Sequence, residues 1–247
     1  MNAEALFWRG RYREQAGWSR DTRRAIFGQL GIGTDARLLE VGSGFGALLG
    51  ALQADGYSNT TGLDIDLFAL QNAESDSPMI CADGLRLPLR AGTFDACLCH
   101  YFLLWVADPL VALREMARVT APGGWVIALA EPDYEGRVDY PPEMEALGRA
   151  QREALAVQGA DVLLGRRLGE LFTQAGLAEI TCGILPARWQ PADSNAGESE
   201  WRVLEKDLAG RVPADELAAL RERDAHARRA GARALVVPTF YAYGYIY

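Results

Sequence analysis

The sequence lacks any apolar run of about 18 residues, the length that a membrane-spanning helix requires. Its first residues, MNAEALFWRGRYREQ, are charged and contain no apolar core of the kind found in secretory signal peptides. We therefore expect a cytoplasmic protein that has no membrane partner.

Cysteine and histidine are scarce, with four and two residues respectively in a chain of 247. The spacing of Cys81, Cys97, Cys99 and Cys182 matches no zinc-binding pattern, so we predict no metal site. Cys97 and Cys99 would share one face of a strand, and we expect all four thiols to be reduced and buried.

Basic residues are outnumbered by acidic ones, 25 against 33, which gives a formal net charge of −8. Proteins whose main partner is nucleic acid usually present a basic surface, so this balance argues against such a partner. It does not exclude one, because a single basic patch can lie within an acidic total. We expect a small-molecule partner and a monomer or homodimer.

Short apolar runs alternate with helical patterns through the first half of the chain. Strands are predicted at 37–41, 60–64, 78–83, 94–100 and 125–130. This alternation is typical of an α/β fold with a doubly wound parallel sheet. The continuous apolar run Trp125–Ala130 fits a strand that is buried on both faces. Residues 1–30 show a helical pattern, and 121–124 (APGG) predict a turn.

The pattern changes after Glu131. We predict helices over 142–158 and 161–175, a strand over 177–185, a mainly helical region over 190–230 and a strand-like segment over 236–247. The length fits a single domain over 1–247. Its predicted parts are a helical lid (1–30), a cofactor-binding core (36–131) and a substrate cover with the last two strands (132–247).

A glycine-rich loop follows the first predicted strand. Glycines stand at 42, 44 and 46, where the backbone must turn sharply and let a ligand approach it. The pattern GxGxG differs from the dinucleotide pattern GxGxxG, so the loop by itself leaves the ligand open. Glu40 favours a ligand with a positive charge, because a carboxylate there would repel a pyrophosphate. The alternative for Glu40 is an exposed or helix-capping residue.

Carboxylates also stand at the ends of the next two predicted strands. Asp64 is placed to accept hydrogen bonds from both hydroxyls of a ribose, with a plain helix cap as its alternative, whereas Asp66 is expected to cap the following helix. Asp83 is placed to accept a hydrogen bond from an adenine amino group, while the backbone of Gly84 and Leu85 meets the edge of the ring. Three carboxylates without a basic residue in these loops suit a ligand with an amine, a ribose and an adenine but no phosphate.

These residues belong to a series of motifs: LEVGSGFG (39–46), GLDI (62–65), ADGLRLPL (82–89), GTFD (92–95), and LREMARV (113–119) followed by PGG (122–124). In order and spacing they resemble the motifs of class I S-adenosylmethionine-dependent methyltransferases, and most closely the small-molecule subgroup called type 11. The resemblance covers residues 36–131. It implies a Rossmann-like sheet of seven strands in the order 3-2-1-4-5-7-6, with strand 7 antiparallel and formed by the terminal tyrosine segment.

The resemblance implies S-adenosylmethionine as the cofactor. We expect it to be held by Tyr12, Glu40, Gly42, Ser43, Gly44, Gly46, Asp64, Ile65, Asp83, Gly84, Leu85 and His100. Tyr12 is included because similar enzymes fold an N-terminal segment over the cofactor. The alternative for this segment is a pair of helices that only pack on the sheet.

The ends of the fourth and fifth strands should face the methyl group. His100 is a candidate general base, since the pKa of histidine is ordinarily near neutral, but a contact to cofactor or substrate, or simple packing, would also explain it. The chain departs from the family here, because many members carry serine or asparagine at this position and histidine near Leu104 and Trp105. Glu131 is a second catalytic candidate, with turn formation as its alternative.

The leading hypothesis is transfer of a methyl group to oxygen, nitrogen or carbon of a small molecule. A second hypothesis is a methyltransferase that acts on RNA or another macromolecule, which would require a basic surface beside the cofactor. A third is a protein that binds the cofactor without methylating, because fold and cofactor do not fix function. The sequence does not name the methyl acceptor.

Overall fold

The computed structural model describes residues 2–187 and 194–247. The helices are α1 Ala3–Trp18, α2 Arg20–Gln29, α3 Ala47–Ala54, α4 Leu67–Gln71, α5 Pro109–Val119, α6 Glu145–Val157, α7 Leu164–Gln174, α8 Ser194–Asp207 and α9 Ala214–Arg229. The strands are β1 Leu38–Val41, β2 Thr60–Asp64, β3 Met79–Cys81, β4 Phe94–Cys99, β5 Thr120–Pro132, β6 Val138–Tyr140, β7 Ala178–Ile184, β8 Ala234–Val236 and β9 Thr239–Tyr245.

Seven strands form one sheet in the order β3-β2-β1-β4-β5-β9-β7. The pairs β1–β2, β1–β4, β2–β3 and β4–β5 are parallel, whereas β9 runs antiparallel to β7. The predicted Rossmann-like sheet in the order 3-2-1-4-5-7-6 is therefore confirmed, with β7 as its sixth strand and the tyrosine segment β9 as its seventh. The carboxyl ends of β1, β2 and β4 lie level, since Val41 is paired with both Leu63 and Cys99.

The prediction of a turn at residues 121–124 is wrong, because these residues belong to the long strand β5. Gly123 donates a backbone hydrogen bond to Ile246 at 2.7 Å, and Ile246 donates one to Gly124 at 3.0 Å. Gly123 has φ +86°, which a residue with a side chain rarely adopts. Thr120 pairs with Phe94 and Trp125 with Ala96, so the residues between them on β5 form a bulge opposite the single residue Asp95 of β4.

The central strands are buried on both faces. Leu38, Leu39 and Val41 of β1 are fully buried, as is the run 126–130 of β5. Ile26 and Phe27 of α2 and Leu48 and Leu52 of α3 pack on one side of this sheet. Burial of each such side chain stabilises the fold by roughly 1.5–3 kcal/mol, so this layer provides the rigid base from which the strand ends project.

The cysteine prediction holds for only two of the four residues. Cys97 and Cys99 are buried neighbours on β4, and burial raises the pKa of both thiols. Cys81 and Cys182 are exposed, which corrects the expectation that all four are buried. Cys81 ends β3, and Cys182 lies on β7, the terminal strand of the sheet, so neither is enclosed by strands on both sides.

The chain divides into two compact units. The first comprises Met1–Glu131, Leu164–Leu185 and Thr239–Tyr247, and the second comprises Pro132–Leu163 and Pro186–Pro238. The sequence-based boundary after Glu131 coincides with the end of the first segment of the first unit. The single domain over 1–247 and the role of 132–247 as a substrate cover stay predictions. None of the helices in the described ranges is long and apolar enough to cross a membrane.

An apolar core and a buried ion network hold the second unit together. The apolar core contains Met144, Leu147, Ala154, Trp201, Leu204, Leu208 and Leu220. The buried carboxylate of Asp224 accepts hydrogen bonds from Trp201 Nε1 at 2.7 Å, Arg228 Nε at 2.7 Å and Arg233 Nε at 2.5 Å. These bonds tie α8, α9 and the start of β8 together. The predicted helical region 190–230 contains α8 and α9, but residues 190–193 lie outside the described residues.

Candidate functional site

The glycine loop leaves β1 through three left-handed residues. Gly42, Gly44 and Gly46 have φ values of +77°, +50° and +72°, a region that strains residues with a side chain. The amides of Gly42 and Ser43 donate to the carbonyl of Leu63 on β2, at 2.8 and 3.0 Å. The loop is thereby fastened to the end of β2, and Gly46 starts α3.

Glu40 lies under this loop and is only 3% exposed. Its Oε2 atom has no hydrogen-bond partner within the described part of the chain. Burial, and then the negative charge of Asp64, raise the pKa of Glu40 well above its usual value, while Arg23 and the Leu49 amide of α3 oppose the rise. A cation placed beside Oε2 would relieve this unfavourable charge, so Glu40 suits an ammonium or sulfonium group.

Asp64 ends β2 and joins two loops. Its Oδ2 atom accepts the Gly44 amide at 2.7 Å, and its Oδ1 atom accepts the Asp66 amide at 2.9 Å. Each oxygen keeps a further lone pair for a ligand hydroxyl.

Asp66 caps α4 by accepting hydrogen bonds from the amides of Phe68 and Ala69, the capping role that the sequence favoured for it. Ile65, between Asp64 and Asp66, is 71% exposed and offers an apolar face beside Asp64.

The loop after β3 contains the third carboxylate. Asp83 is exposed, and its Oδ1 atom accepts the Leu85 amide at 2.9 Å. Gly84 is buried, and a Cβ atom there would lie 2.7 Å from Cζ of Phe102. The Phe102 ring therefore packs directly against the backbone of Gly84, and contact of Gly84 and Leu85 with an adenine ring stays a prediction.

Phe102 is a site residue that sequence reasoning missed. Its ring packs over Gly42 as closely as over Gly84, because a Cβ atom on either glycine would collide with it. The ring therefore forms the wall between the glycine loop and the β3 loop. Phe102 lies beyond β4 and meets both glycines only through the sheet order, so no local pattern in the sequence could have revealed it.

Glu131 holds the turn that contains Phe102. It is fully buried, and its Oε1 atom accepts the amides of Phe102 and Leu103, both at 3.0 Å, while Oε2 accepts that of Leu104 at 3.2 Å. Burial raises the pKa of Glu131 to about 7, against the opposing effect of the three amides. Its catalytic role at the methyl acceptor stays a prediction, one that this enclosed geometry does not favour.

His100 connects the end of β4 to the N-terminal helices. Its Nε2 atom lies 3.2 Å from Oγ of Ser19, the buried residue between α1 and α2. Burial, and then the positive charge of Arg23, lower the pKa of His100 to about 3, although a hydrogen bond to the backbone of Gln15 opposes the shift. The imidazole is therefore neutral at physiological pH, and with this pKa it is a weak base.

Helix α1 lies across the glycine loop. The ring of Tyr12 reaches within 3.3 Å of the position that a Cβ atom on Gly44 would take, and its centroid lies 6.0 Å from that of Phe45. Desolvation, and then the negative charge of Asp64, raise the pKa of Tyr12. Arg9 and Arg13 of α1 both form ion pairs with Glu74, which follows α4. These pairs attach α1 to the segment after α4.

A cavity of about 220 Å³ opens between α1 and the start of α4. Its lining includes the aromatic residues Trp8, Tyr12, Phe45 and Phe68, together with Asp66. Asp66 places this cavity next to the turn that follows β2.

Arg23 of α2 is a second residue that the sequence analysis missed. It is 1% exposed, and it donates to Asp55 Oδ2 at 2.9 Å and to the Ala16 carbonyl at 3.3 Å. Its charge acts on both Glu40 and His100. The sequence does contain a signal, since Arg23 stands at helical spacing from Ile26 and Phe27 on the buried face of α2.

The observed chemistry fits S-adenosylmethionine. The buried atoms Glu40 Oε2 and Ser43 Oγ, at the glycine loop, have no partners among the described residues. Asp64 and Asp83 retain acceptor capacity at the two neighbouring strand ends. The acceptors on the β1, β2 and β3 loops would therefore suit a cationic amine, a ribose and an adenine.

Comparison with known proteins points the same way. A family model described as a methyltransferase domain matches residues 39–128. The demethylmenaquinone methyltransferase of Mycobacterium sp. strain KMS is 31% identical over 181 residues, which cover 70% of this chain and 78% of the relative. The enzyme of the same name from Corynebacterium urealyticum is 39% identical over 115 residues, but the match spans 46% of this chain and only 47% of the relative.

A solved structure supports the fold independently. It is a candidate methyltransferase from an antibiotic biosynthesis pathway of Anabaena variabilis, with a TM-score of 0.67, 14% identity, and coverage of 90% of this chain and 96% of the other. At this identity the likeness concerns the fold alone. Together with the relatives, the family match and the ordered motifs, it confirms the resemblance: the chain belongs to the class I S-adenosylmethionine-dependent methyltransferases.

Proposed function

We propose that this protein binds S-adenosylmethionine at the β1, β2 and β3 loops and transfers its methyl group to a small organic acceptor. The observation that carries the proposal is the buried Glu40 carboxylate, whose Oε2 atom has no partner in the described ranges and whose pKa is raised by burial. A cationic ligand would stabilise the ionised form of this group, and few other metabolites combine such a charge with a ribose and an adenine.

Each loop has a distinct binding task in this proposal. Glu40 faces the positively charged end of the cofactor, Asp64 accepts hydrogen bonds from the ribose hydroxyls, and Asp83 accepts one from the adenine amino group. Ile65 supplies an exposed apolar surface for the adenine. When bound, the cofactor supplies an electrophilic methyl carbon on a positively charged sulfur.

The N-terminal helices act as a lid. Tyr12 covers Gly44, and the contact between His100 and Ser19 joins the lid to the end of β4, where the acceptor is expected. A covered site excludes water and keeps acceptor and methyl group in place. In this reading His100 positions the lid as a neutral residue, and the general-base role is the less favoured alternative because its pKa is lowered to about 3.

The relatives named as demethylmenaquinone methyltransferases are named for a quinone acceptor. The ordinary pKa of a phenol is about 10, so a phenol or hydroquinone would react through its small ionised fraction and lose its proton to solvent rather than to His100. We therefore propose a hydroquinone or phenol as the acceptor class. Methylation of RNA or another macromolecule is the alternative, and the net charge of −8 weighs against it.

Two measurements test this function. Calorimetry should show binding of S-adenosylmethionine and S-adenosylhomocysteine but not of NAD; binding of NAD instead would overturn the cofactor assignment. Cofactor-dependent methylation is then measured across phenols, hydroquinones, amines and carboxylic acids, with transfer RNA as the macromolecular arm. Methylation of RNA alone would favour the alternative, and cofactor binding without transfer to any acceptor would favour a non-methylating protein.

A further inference from the structure

One buried carboxylate organises the turn that follows β4. Glu131 accepts three consecutive amides, those of Phe102, Leu103 and Leu104, at 3.0, 3.0 and 3.2 Å. Sγ of Cys99 lies 3.9 Å from Oε1 as a weak fourth donor. Glu131 is fully buried, so these contacts replace the water that a carboxylate would otherwise need. Such a concentration of donors fixes the path of the backbone from residue 102 to 104.

The first residue of this turn lies between two loops. The Phe102 ring packs on Gly42 and Gly84, and neither position has room for a Cβ atom beside it. A shift of the Phe102 backbone would therefore move the ring out of this gap or push the glycine loop and the β3 loop apart. The spacing of the two loops depends on where the amide of Phe102 is held.

We infer that Glu131 is a positioning residue that sets the spacing of the glycine loop and the β3 loop through Phe102. It reaches neither cofactor nor acceptor in this role; it holds the turn, and the turn holds the aromatic wall between the Gly42 and Gly84 loops. The inference rests on the proposed function, since it takes these loops as the place of S-adenosylmethionine.

The side chain at position 131 decides how many of the three amides keep a hydrogen-bond acceptor. A glutamine can keep a carbonyl oxygen facing Phe102 and Leu103, but its amide nitrogen then meets the Leu104 amide, donor against donor. An alanine removes all three acceptors and leaves buried amides without partners. The conservative variant should therefore lose one contact of three, whereas the truncation loses the whole arrangement and can also impair folding.

The test uses Glu131→Gln, Phe102→Ala and the double variant of the full chain. Hydrogen exchange reports the amides of residues 102–104 without any ligand, and calorimetry reports the affinity for S-adenosylhomocysteine. We expect faster exchange at Leu104 in Glu131→Gln and an affinity about 3- to 10-fold weaker, the loss that one ordinary hydrogen bond implies. The double variant should bind no more weakly than Phe102→Ala alone, because the effect of Glu131 passes through that ring.

The control is Asp95→Asn. The Asp95 carboxylate also accepts a backbone amide, that of Arg37 at 2.8 Å, but Asp95 lies at the opposite end of β4. The Asp95→Asn variant should leave the affinity for S-adenosylhomocysteine unchanged. Additive losses in the double variant, or unchanged affinity and exchange in Glu131→Gln, would overturn the inference. If the unaltered chain binds no S-adenosylhomocysteine, the proposed function fails, and exchange at residues 102–104 still reports on the turn.

Discussion

Asp64 Oδ2 accepts the backbone amide of Gly44 at 2.7 Å, so the carboxylate predicted to hold the ribose also holds the glycine loop. A single side chain thereby couples the end of β2 to the conformation of the loop after β1. The left-handed Gly44 is fixed before a ligand arrives, and a fixed loop loses less conformational freedom on binding.

Asp64→Ala should weaken binding of S-adenosylmethionine by more than about tenfold, because it removes charged acceptors for the ribose and releases the Gly44 amide. Asp64→Asn keeps an oxygen for only one of the two amides and should give an intermediate loss. Calorimetry measures both. Asp95→Asn is the control, since its carboxylate lies at the other end of the sheet; an Asp64→Ala variant with unaltered affinity would remove Asp64 from the site.

Glu40→Gln should raise thermal stability while weakening cofactor binding. The folded-state pKa of Glu40 lies above its usual value of 4.5. The protonated Glu40 side chain therefore contributes fully to stability below pH 4.5, and this contribution is lost as pH rises through the raised pKa. A neutral amide does not incur this loss. Across a pH series without ligand, the melting temperature of the variant should therefore rise relative to that of the unaltered chain as pH increases. Added S-adenosylmethionine should raise the melting temperature of the variant by less than it raises that of the unaltered chain.

The same residue predicts release of a proton on binding. At a pH between 4.5 and the raised pKa, Glu40 is protonated in the free protein and ionises beside a cationic ligand, so affinity should rise with pH across this interval. The calorimetric enthalpy should then differ between buffers with different heats of ionisation. Neutral adenosine, which has no cation, provides the control ligand. An enthalpy independent of buffer for S-adenosylmethionine would contradict the assignment of Glu40.

The sequence was sufficient to predict the parts of the site that are built locally. Glu40, Asp64 and Asp83 each stand at a strand end that apolar runs and glycines delimit. The environments of His100, Glu131 and Phe102 could not be predicted in this way, since each depends on a partner more than 25 residues away along the chain. The sequence therefore suggested catalytic roles for His100 and Glu131, whereas their contacts are to Ser19 and to backbone amides.

His100→Ala should leave the shape of the pH–rate profile unchanged. A histidine with a pKa lowered to about 3 does not titrate near neutrality, so no step at its usual pKa of 6.5 is expected in either protein. Loss of the contact with Ser19 should weaken cofactor affinity by about 3- to 10-fold, as for one hydrogen bond. His226→Ala, at an exposed position of α9, is the control. Turnover that falls by orders of magnitude at unchanged affinity would instead restore the general-base role.

Arg23→Met should destabilise the fold and alter the site at the same time. Removing one partner of a buried ion pair costs about 3 kcal/mol, here at the lower end because Arg24 remains on Asp55 at 2.5 Å. Arg23 also opposes the rise in the pKa of Glu40, so its removal should shift the pH dependence of cofactor affinity to higher pH. Arg24→Met removes an exposed partner of the same Asp55, so it should change stability little and leave that pH dependence in place. Denaturant unfolding and affinity measured over a pH series separate the two arginines, and equal shifts in both variants would show that Arg23 acts only through Asp55.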